Sequence, residues 1–171
     1  MPDYNWNNLP TRTLVMDGQT VTLRPLTKSD ETALGDYFLG LSAQTRRVYA
    51  PHPFDRATAA SICAKLGTPE GDSYLRLLAV SGNTVLACFI VHLGLHEKDR
   101  ERRYSHLDPD LACMLAPSVT DVWQNRGLGS HLMAYAKDCA RVFGRQVMVL
   151  WGGVREENPR AIHFYTKSGF R

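Results

Sequence analysis

The sequence predicts one mixed α/β domain over residues 1–171, in which a mostly antiparallel sheet is sandwiched between helices. Three observations carry that prediction. Asp17-Gly18 sits between two alternating β-forming runs and marks a hairpin near the N-terminus. Two longer strand-like runs follow around Ser81-Gly82-Asn83. The chain then ends in a strand–helix–strand–helix order, whose two strands must run parallel with a right-handed crossover. The length is enough for a core without disulfides. Hydrophobic residues at 44% and charged residues at 22% exclude a disordered or low-complexity chain.

Each element follows from local signals. The hairpin occupies about residues 11–26. After Pro25 the apolar spacing turns helical, with Thr27 or Ser29 as cap and Leu34, Tyr37, Phe38 and Leu41 on the buried side. Residues 42–53 are ambiguous, with prolines on both sides of His52. Asp55 caps a second helix bearing Ile62, Cys63 and Leu66 and closed by Gly67. Strands are expected at 74–80 and 84–93, then a charged loop at 96–110. A third strand-like run, 111–119, is interrupted by Pro117, which should disturb its ladder. Gly127 opens a long helix with Leu128, Leu132, Met133, Ala136, Ala140 and Val142 on one face, ended by Gly144. Residues 147–151 read as a short strand at a sheet centre, because they are continuously apolar. Pro159 starts a last helix that stops at Gly169. Trp6, Trp123 and Trp151 are expected to pack.

Charge and cysteine usage narrow the function. A net charge of +3 is too small for a typical nucleic-acid binder, yet allows a local basic patch for an anionic small molecule. No stretch approaches the roughly 18–20 apolar residues of a membrane span. The polar N-terminus has no signal-peptide pattern. Cys63, Cys88, Cys113 and Cys139 are far apart and lie in apolar stretches, so they read as core residues rather than a metal or redox site. A cytoplasmic chain with no nucleic-acid, membrane or metal partner is the expectation.

The chemistry is concentrated at Gln124 to Ser130. A strand runs through Gln124-Asn125-Arg126-Gly127-Leu128-Gly129-Ser130 into a helix. Glycines there let main chain approach a ligand closely, and the unpaired N–H groups of a helix start suit phosphate. Arg126 adds a cation. The run is neither a Walker loop nor the dinucleotide fingerprint, since Leu132 stands at the third glycine position. A turn that merely packs helix on strand remains the alternative.

Gln124-x-x-Gly127-x-Gly129 resembles the acetyl-CoA motif of the GNAT superfamily of N-acetyltransferases. Downstream, Val154-x-x-x-Asn158-x-x-Ala161-x-x-Phe164-Tyr165-x-Lys167-x-Gly169-Phe170 is similar to that superfamily's next motif. The element order agrees from about Val21 onward. A fainter likeness is to the acetyltransferase domain of bacterial protein-lysine acetyltransferases. The resemblance implies a GNAT-like layer sandwich whose parallel strand pair splays apart. It implies acetyl-CoA as co-substrate, its pyrophosphate on the amides of Gln124, Asn125, Arg126, Gly127, Leu128, Gly129 and Ser130. Its pantetheine would lie against the Val119 backbone, and Asn158 would reach the coenzyme. Tyr165 would be the catalytic acid that protonates the departing thiolate during direct attack by a primary amine. A small-molecule amine is the expected acceptor.

Without that resemblance, Tyr165 is an ordinary core aromatic, Asn158 a helix cap, and Lys167 a complement to the helix dipole. Three departures stand out. Pro117 occupies the position whose backbone N–H the family commonly turns on the acetyl carbonyl, unless a bulge shifts that role to Ser118. Met114 replaces a strand carboxylate. Asp108, Asp110, Asp121, His92 and His106 are candidate bases, each with a simpler loop or turn role. The family's closing C-terminal hairpin is not seen before Arg171; a truncated chain, an edge covered by the N-terminal hairpin and an edge covered by a second copy are the alternatives, and a homodimer is the expectation. His163 is expected at the surface. A sensor that binds acetyl-CoA without turnover is the alternative function, and a nucleotide-phosphate binder a weaker third.

Overall fold

A computed structural model describes residues 9–171; Trp6 lies outside them. Six strands form one sheet in the order β1-β2-β3-β4-β5-β6. The hairpin pairs β1 (Arg12–Met16) with β2 (Gln19–Pro25). Asp17 and Gly18 both take positive φ, 49° and 74°, the turn that matches the twist of the flanking strands. β3 (Tyr74–Ser81) and β4 (Thr84–His92) continue the antiparallel order, and β5 (Ala112–Val119) pairs antiparallel with β4. β6 (Val147–Leu150) runs parallel to β5.

Helices cover both faces. On one, α1 (Glu31–Gly40) and α3 (Arg56–Ala64) bury Leu34, Tyr37, Phe38, Ala59, Ile62 and Cys63 against Leu78, Cys88 and Ile90. On the other, α6 (Leu128–Val142) lays Leu128, Leu132, Met133, Ala136 and Ala140 on Leu77, Phe89 and Leu115. Each such large side chain contributes roughly 1.5–3 kcal/mol by leaving water. β4 is buried on both faces from Val85 to Val91. The four cysteines are free and buried. No helix among the described residues is long and apolar enough to cross a membrane.

Caps set the helix starts. The Asp55 carboxylate accepts the Thr58 N–H at 2.7 Å, as the sequence predicts for α3. At α1 the important group is Asp30 rather than the hydroxyls of Thr27 or Ser29. Its carboxylate takes both Arg24 Nη atoms at 2.7 Å and the Thr27 N–H at 2.8 Å, tying the end of β2 to the start of the helix. The ambiguous segment holds α2 (Ala43–Val48), capped by Ser42, and a short α4 (Pro69–Asp72) precedes β3. The charged loop contains α5 (Glu97–Arg102). α7 (Pro159–Lys167) is capped by Asn158 and buries none of its residues completely.

Three expectations need correction. Residues 147–150 do not form a central strand: β6 is last in the sheet order, and Val147 is 38% exposed. A short apolar run reports covered faces, and both faces of an edge strand can be covered. Val142 ends α6 at 53% exposure, outside the stripe that faces the sheet. Pro117 lies within β5 and breaks no ladder. The Leu115 carbonyl accepts from the Trp151 N–H, so Leu115 and, two residues on, Pro117 turn their backbone polar groups toward β6. The pairing with β6 has already ended there, and a missing N–H costs nothing.

Candidate active site

The site begins where β5 and β6 part. Their register runs from Ala112↔Val147 to Leu115↔Leu150, after which β5 continues alone to Val119. The chain leaving β6 turns away through Gly152 and Gly153, each at φ 74°. A gap is left along residues 116–119, and a cavity of about 630 Å³ opens through it. On one side of the sheet the cavity reaches Gln124, Asn125, Gly127, Gly129 and Ser130; on the other it reaches Tyr49, Pro51 and Trp151.

The glycine turn is shaped as an anion cradle. Asn125 and Gly127 take left-handed φ of 60° and 87°. Gly127 is the N-cap of α6, and Ser130 and His131 donate to its carbonyl. The N–H groups of residues 125–129 have no acceptor among the described residues. Alternating backbone conformations at a helix start converge such donors on one point, and the helix dipole adds positive potential. Gly129 has a further reason to lack a side chain. A Cβ there would stand 3.2 Å from Phe164 Cε2, so this glycine also lets α7 pack on α6. Cradle and packing turn are therefore the same residues.

The structure divides the predicted site residues. Val119, Gln124, Asn125, Gly127, Gly129, Ser130, Asn158 and Tyr165 line the cavity. Leu128 and Arg126 do not. The Leu128 side chain is fully buried in the core, leaving only its backbone for a ligand. Arg126 pairs with Asp17 at 2.8 Å and lies over the Trp123 ring. Ser118 borders the cavity, but its hydroxyl is held between Tyr37 at 2.7 Å and the Cys88 carbonyl at 3.1 Å. No register shift occurs between β4 and β5 at Ser118, so no bulge turns its N–H into the gap. The Val119 carbonyl accepts from Gln124 Nε2 at 2.9 Å, which folds that side chain over the end of β5. Asn158 Oδ1 accepts the Ala161 N–H at 3.1 Å.

Tyr165 projects from α7 into the cavity wall, edge-on to Phe164 and Phe170 with ring centroids 5.3 and 5.5 Å away. Burial pushes its hydroxyl pKa well up, so the phenol stays protonated at neutral pH and able to donate. Tyr49 lies within electrostatic reach of it, on the opposite wall. The Tyr49 hydroxyl donates to the Ala116 carbonyl at 3.2 Å.

Sequence reading missed two cations, Arg155 and Arg160, and gave Lys167 only a role at the helix end. Arg155, Arg160, Lys167 and the exposed His163 all border the cavity, and the first three form no ion pair among the described residues. They lie close together in the sequence, on the turn after β6 and along α7, and they face the cavity because that segment folds back over the gap. The candidate bases fare poorly. Asp121 accepts from the Ser42 N–H and hydroxyl and from the Thr45 hydroxyl, so it anchors α2. The Asp108 carboxylate takes the Asp110 N–H within a turn. His92 stacks on His96 at 4.3 Å, and burial, aided by that neighbour, lowers its pKa to about 4. Met114 is fully buried, its sulfur accepting the His96 N–H.

The comparisons agree with this fold. The profile of the "Acetyltransferase (GNAT) family" matches residues 42–170. Among solved structures, the GNAT domain of S. lividans PAT superposes with a TM-score of 0.73 at 19% identity, over 94% of this chain and 88% of that one. Aminoglycoside N-acetyltransferase AAC(6')-Iy in complex with CoA gives 0.65 at 14% identity, over 92% of each chain. A GNAT-family acetyltransferase from Streptococcus pneumoniae gives 0.66 at 18%, over 88% of this chain and 84% of that one. No curated protein matches the sequence. With three quarters of its length matched by the family profile, its mixed sheet splayed at the parallel pair and its glycine turn at the head of α6, the chain belongs to the GNAT acetyltransferase family.

Proposed function

We propose that this protein transfers an acetyl group from acetyl-CoA to a primary amine on a small molecule. One observation carries the reading: a single cavity joins the unpaired N–H groups at 125–129 to the β5–β6 gap and to Tyr165. The cradle takes the pyrophosphate, and Arg155, Arg160 and Lys167 complement the coenzyme's remaining negative charge. The pantetheine arm lies in the gap beside Val119, as an added strand would. Asn158 contacts the coenzyme while capping α7.

The amine approaches from the Tyr49 and Trp151 side and attacks the thioester carbonyl carbon. A C–N bond forms, the C–S bond breaks, and the sulfur takes a proton from the Tyr165 hydroxyl. The proton shed by the amine leaves to water. Positioning across the gap supplies much of the rate, and the phenol adds roughly 10²-fold or more. The coenzyme-bound neighbour named as an aminoglycoside N-acetyltransferase supports a small acceptor. Four free, buried cysteines fit a reducing compartment such as the cytoplasm.

A second reading, a sensor that binds acetyl-CoA without turnover, draws on Pro117 and Met114, which remove a donor and a carboxylate from β5. Tyr165→Phe separates the two. An enzyme loses about 10²-fold in kcat and keeps its affinity for acetyl-CoA. Absence of thiol release by the wild-type chain across a broad amine panel, with acetyl-CoA bound, establishes the sensor instead.

A further inference from the structure

Arg76 is a cation that the fold places without using. It stands on β3, on the face covered by α1 and α3, in a row that crosses the sheet: Arg76 opposite Ile90, and Ile90 opposite Ala116. Ala116 borders the gap, so Arg76 is two strand spacings, roughly 10 Å, from the place where acetyl transfer would occur. Its guanidinium lies over the Tyr74 ring at 5.7 Å. Nη1 reaches the Tyr74 carbonyl only at 3.5 Å, the outer limit of a hydrogen bond. Nε is sealed from solvent and has no acceptor. No carboxylate lies within ion-pair distance of it among the described residues.

Arg24 shows what this chain does with a structural arginine: both Nη atoms meet one carboxylate. Arg76 has no such partner, although a desolvated and unpaired guanidinium is expensive. It lines a second cavity of about 400 Å³ together with Tyr74, Asp55, Lys65 and Glu70; this cavity shares no lining residue with the first and adjoins it where the Tyr74 ring stacks on Trp151 at 6.0 Å. The carboxylates in that wall are already occupied. Asp55 caps α3, and Glu70 pairs with Lys65 at 2.7 Å. What remains uncompensated is the charge of Arg76.

We infer that Arg76 anchors a carboxylate carried by the acceptor, and that the acceptor is a small amino carboxylate with its amine at the gap and its carboxylate against Arg76 and Tyr74. The planar guanidinium suits a carboxylate's two oxygens, which supply the acceptor that Nε lacks. A polyamine sugar has nothing to offer this position and is repelled by it. The inference rests on the acetyl-transfer reading and narrows its substrate class.

Initial rates of thiol release from acetyl-CoA test it, using an α-, a γ- and an ε-amino carboxylate and the carboxamide of each. The wild-type chain should prefer at least one carboxylate over its carboxamide by ~10- to 100-fold in kcat/KM, the range of a charge-assisted hydrogen bond. In Arg76→Gln that preference collapses through KM, with acetyl-CoA affinity by calorimetry unchanged, and Arg76→Lys restores part of it. Equal rates on carboxylates and carboxamides overturn the inference, as does acetyl-CoA binding with turnover of none of the six amines. Should Arg76→Gln fail to fold, the wild-type comparison alone decides. Failure of acetyl-CoA to bind at all overturns the underlying reading and this inference with it.

Discussion

Replacing Asn158 by Ala removes a cap from the helix that carries Tyr165, and the cost can be worked from its surroundings. Asn158 Oδ1 takes the Ala161 N–H at 3.1 Å, and loss of such a cap costs ~1 kcal/mol. α7 has nine residues, none fully buried, and helices below about 12 residues are marginal on their own. The loss should therefore appear first as local fraying: 1 kcal/mol raises the open population about fivefold. Hydrogen exchange at α7 amides reads this directly, alongside urea unfolding and acetyl-CoA titration. Asn158→Asp is the control, since Asp caps as well as Asn but lacks the amide donor and places negative charge beside the coenzyme phosphates. We expect Asn158→Ala to lose protection and affinity together, whereas Asn158→Asp keeps protection and still binds about tenfold more weakly. Unchanged exchange in Asn158→Ala refutes the cap as a determinant of α7. Full affinity in Asn158→Asp refutes the coenzyme contact.

Gly127→Ala forces a side chain onto φ 87° with only Met16 Cε nearby at 3.9 Å, so about 1–2 kcal/mol of backbone strain should appear in urea unfolding together with weaker acetyl-CoA binding. Gly129→Ala instead pushes Phe164 from 3.2 Å, opposed by up to ~1 kcal/mol of helix propensity. Little change in stability is expected there, with kcat falling as α7 and Tyr165 shift; an unchanged kcat argues against that coupling. The His92 pKa is lowered in the fold from 6.5 to about 4, chiefly by burial. The unfolded chain then binds the extra proton, so stability is full above pH 6.5 and declines as pH falls toward 4. A sealed site would lose about 3 kcal/mol; partial exposure screens this to about 1–2 kcal/mol. Unfolding free energies at pH 7.5 and 4.5 should show that loss in the wild-type chain and a smaller one in His92→Asn. The same slope in both would remove His92 from the account.

Where a local signal governs local geometry, the sequence was readable. Asp17-Gly18 demanded positive φ and made the hairpin; Asp55 and Asn158 capped their helices; the stripe from Leu128 to Ala140 faced the sheet. What escaped depends on distant chain. α2 is short and is anchored by Asp121 from beyond β5, a tie that no pattern in residues 42–48 announces. α5 alternates acid and base with no apolar period and so read as a loop. Pro117 looked disruptive because only the strand register reveals that its nitrogen faces an open gap. Arg155 and Arg160, at the cavity mouth, fall on unspecified positions of the second motif, so nothing in the pattern marked them. Arg76 is a single polar residue in an otherwise apolar run, and nothing in that run shows what it faces; only α1 and α3, laid over that face, enclose it. For the site, most of the residues that the two motifs singled out line the cavity, whereas Leu128 and Arg126 have only their backbone to offer a ligand there.

Calorimetric titration of the full chain with acetyl-CoA tests the central claim most directly, because everything else depends on the cradle at 125–129 holding the coenzyme. The account predicts saturable binding with Kd on the order of micromolar to tens of micromolar, near the usual range for such substrates, and at least tenfold weaker in Gly127→Ala. No heat of binding up to millimolar acetyl-CoA, from a chain that melts cooperatively, would contradict it.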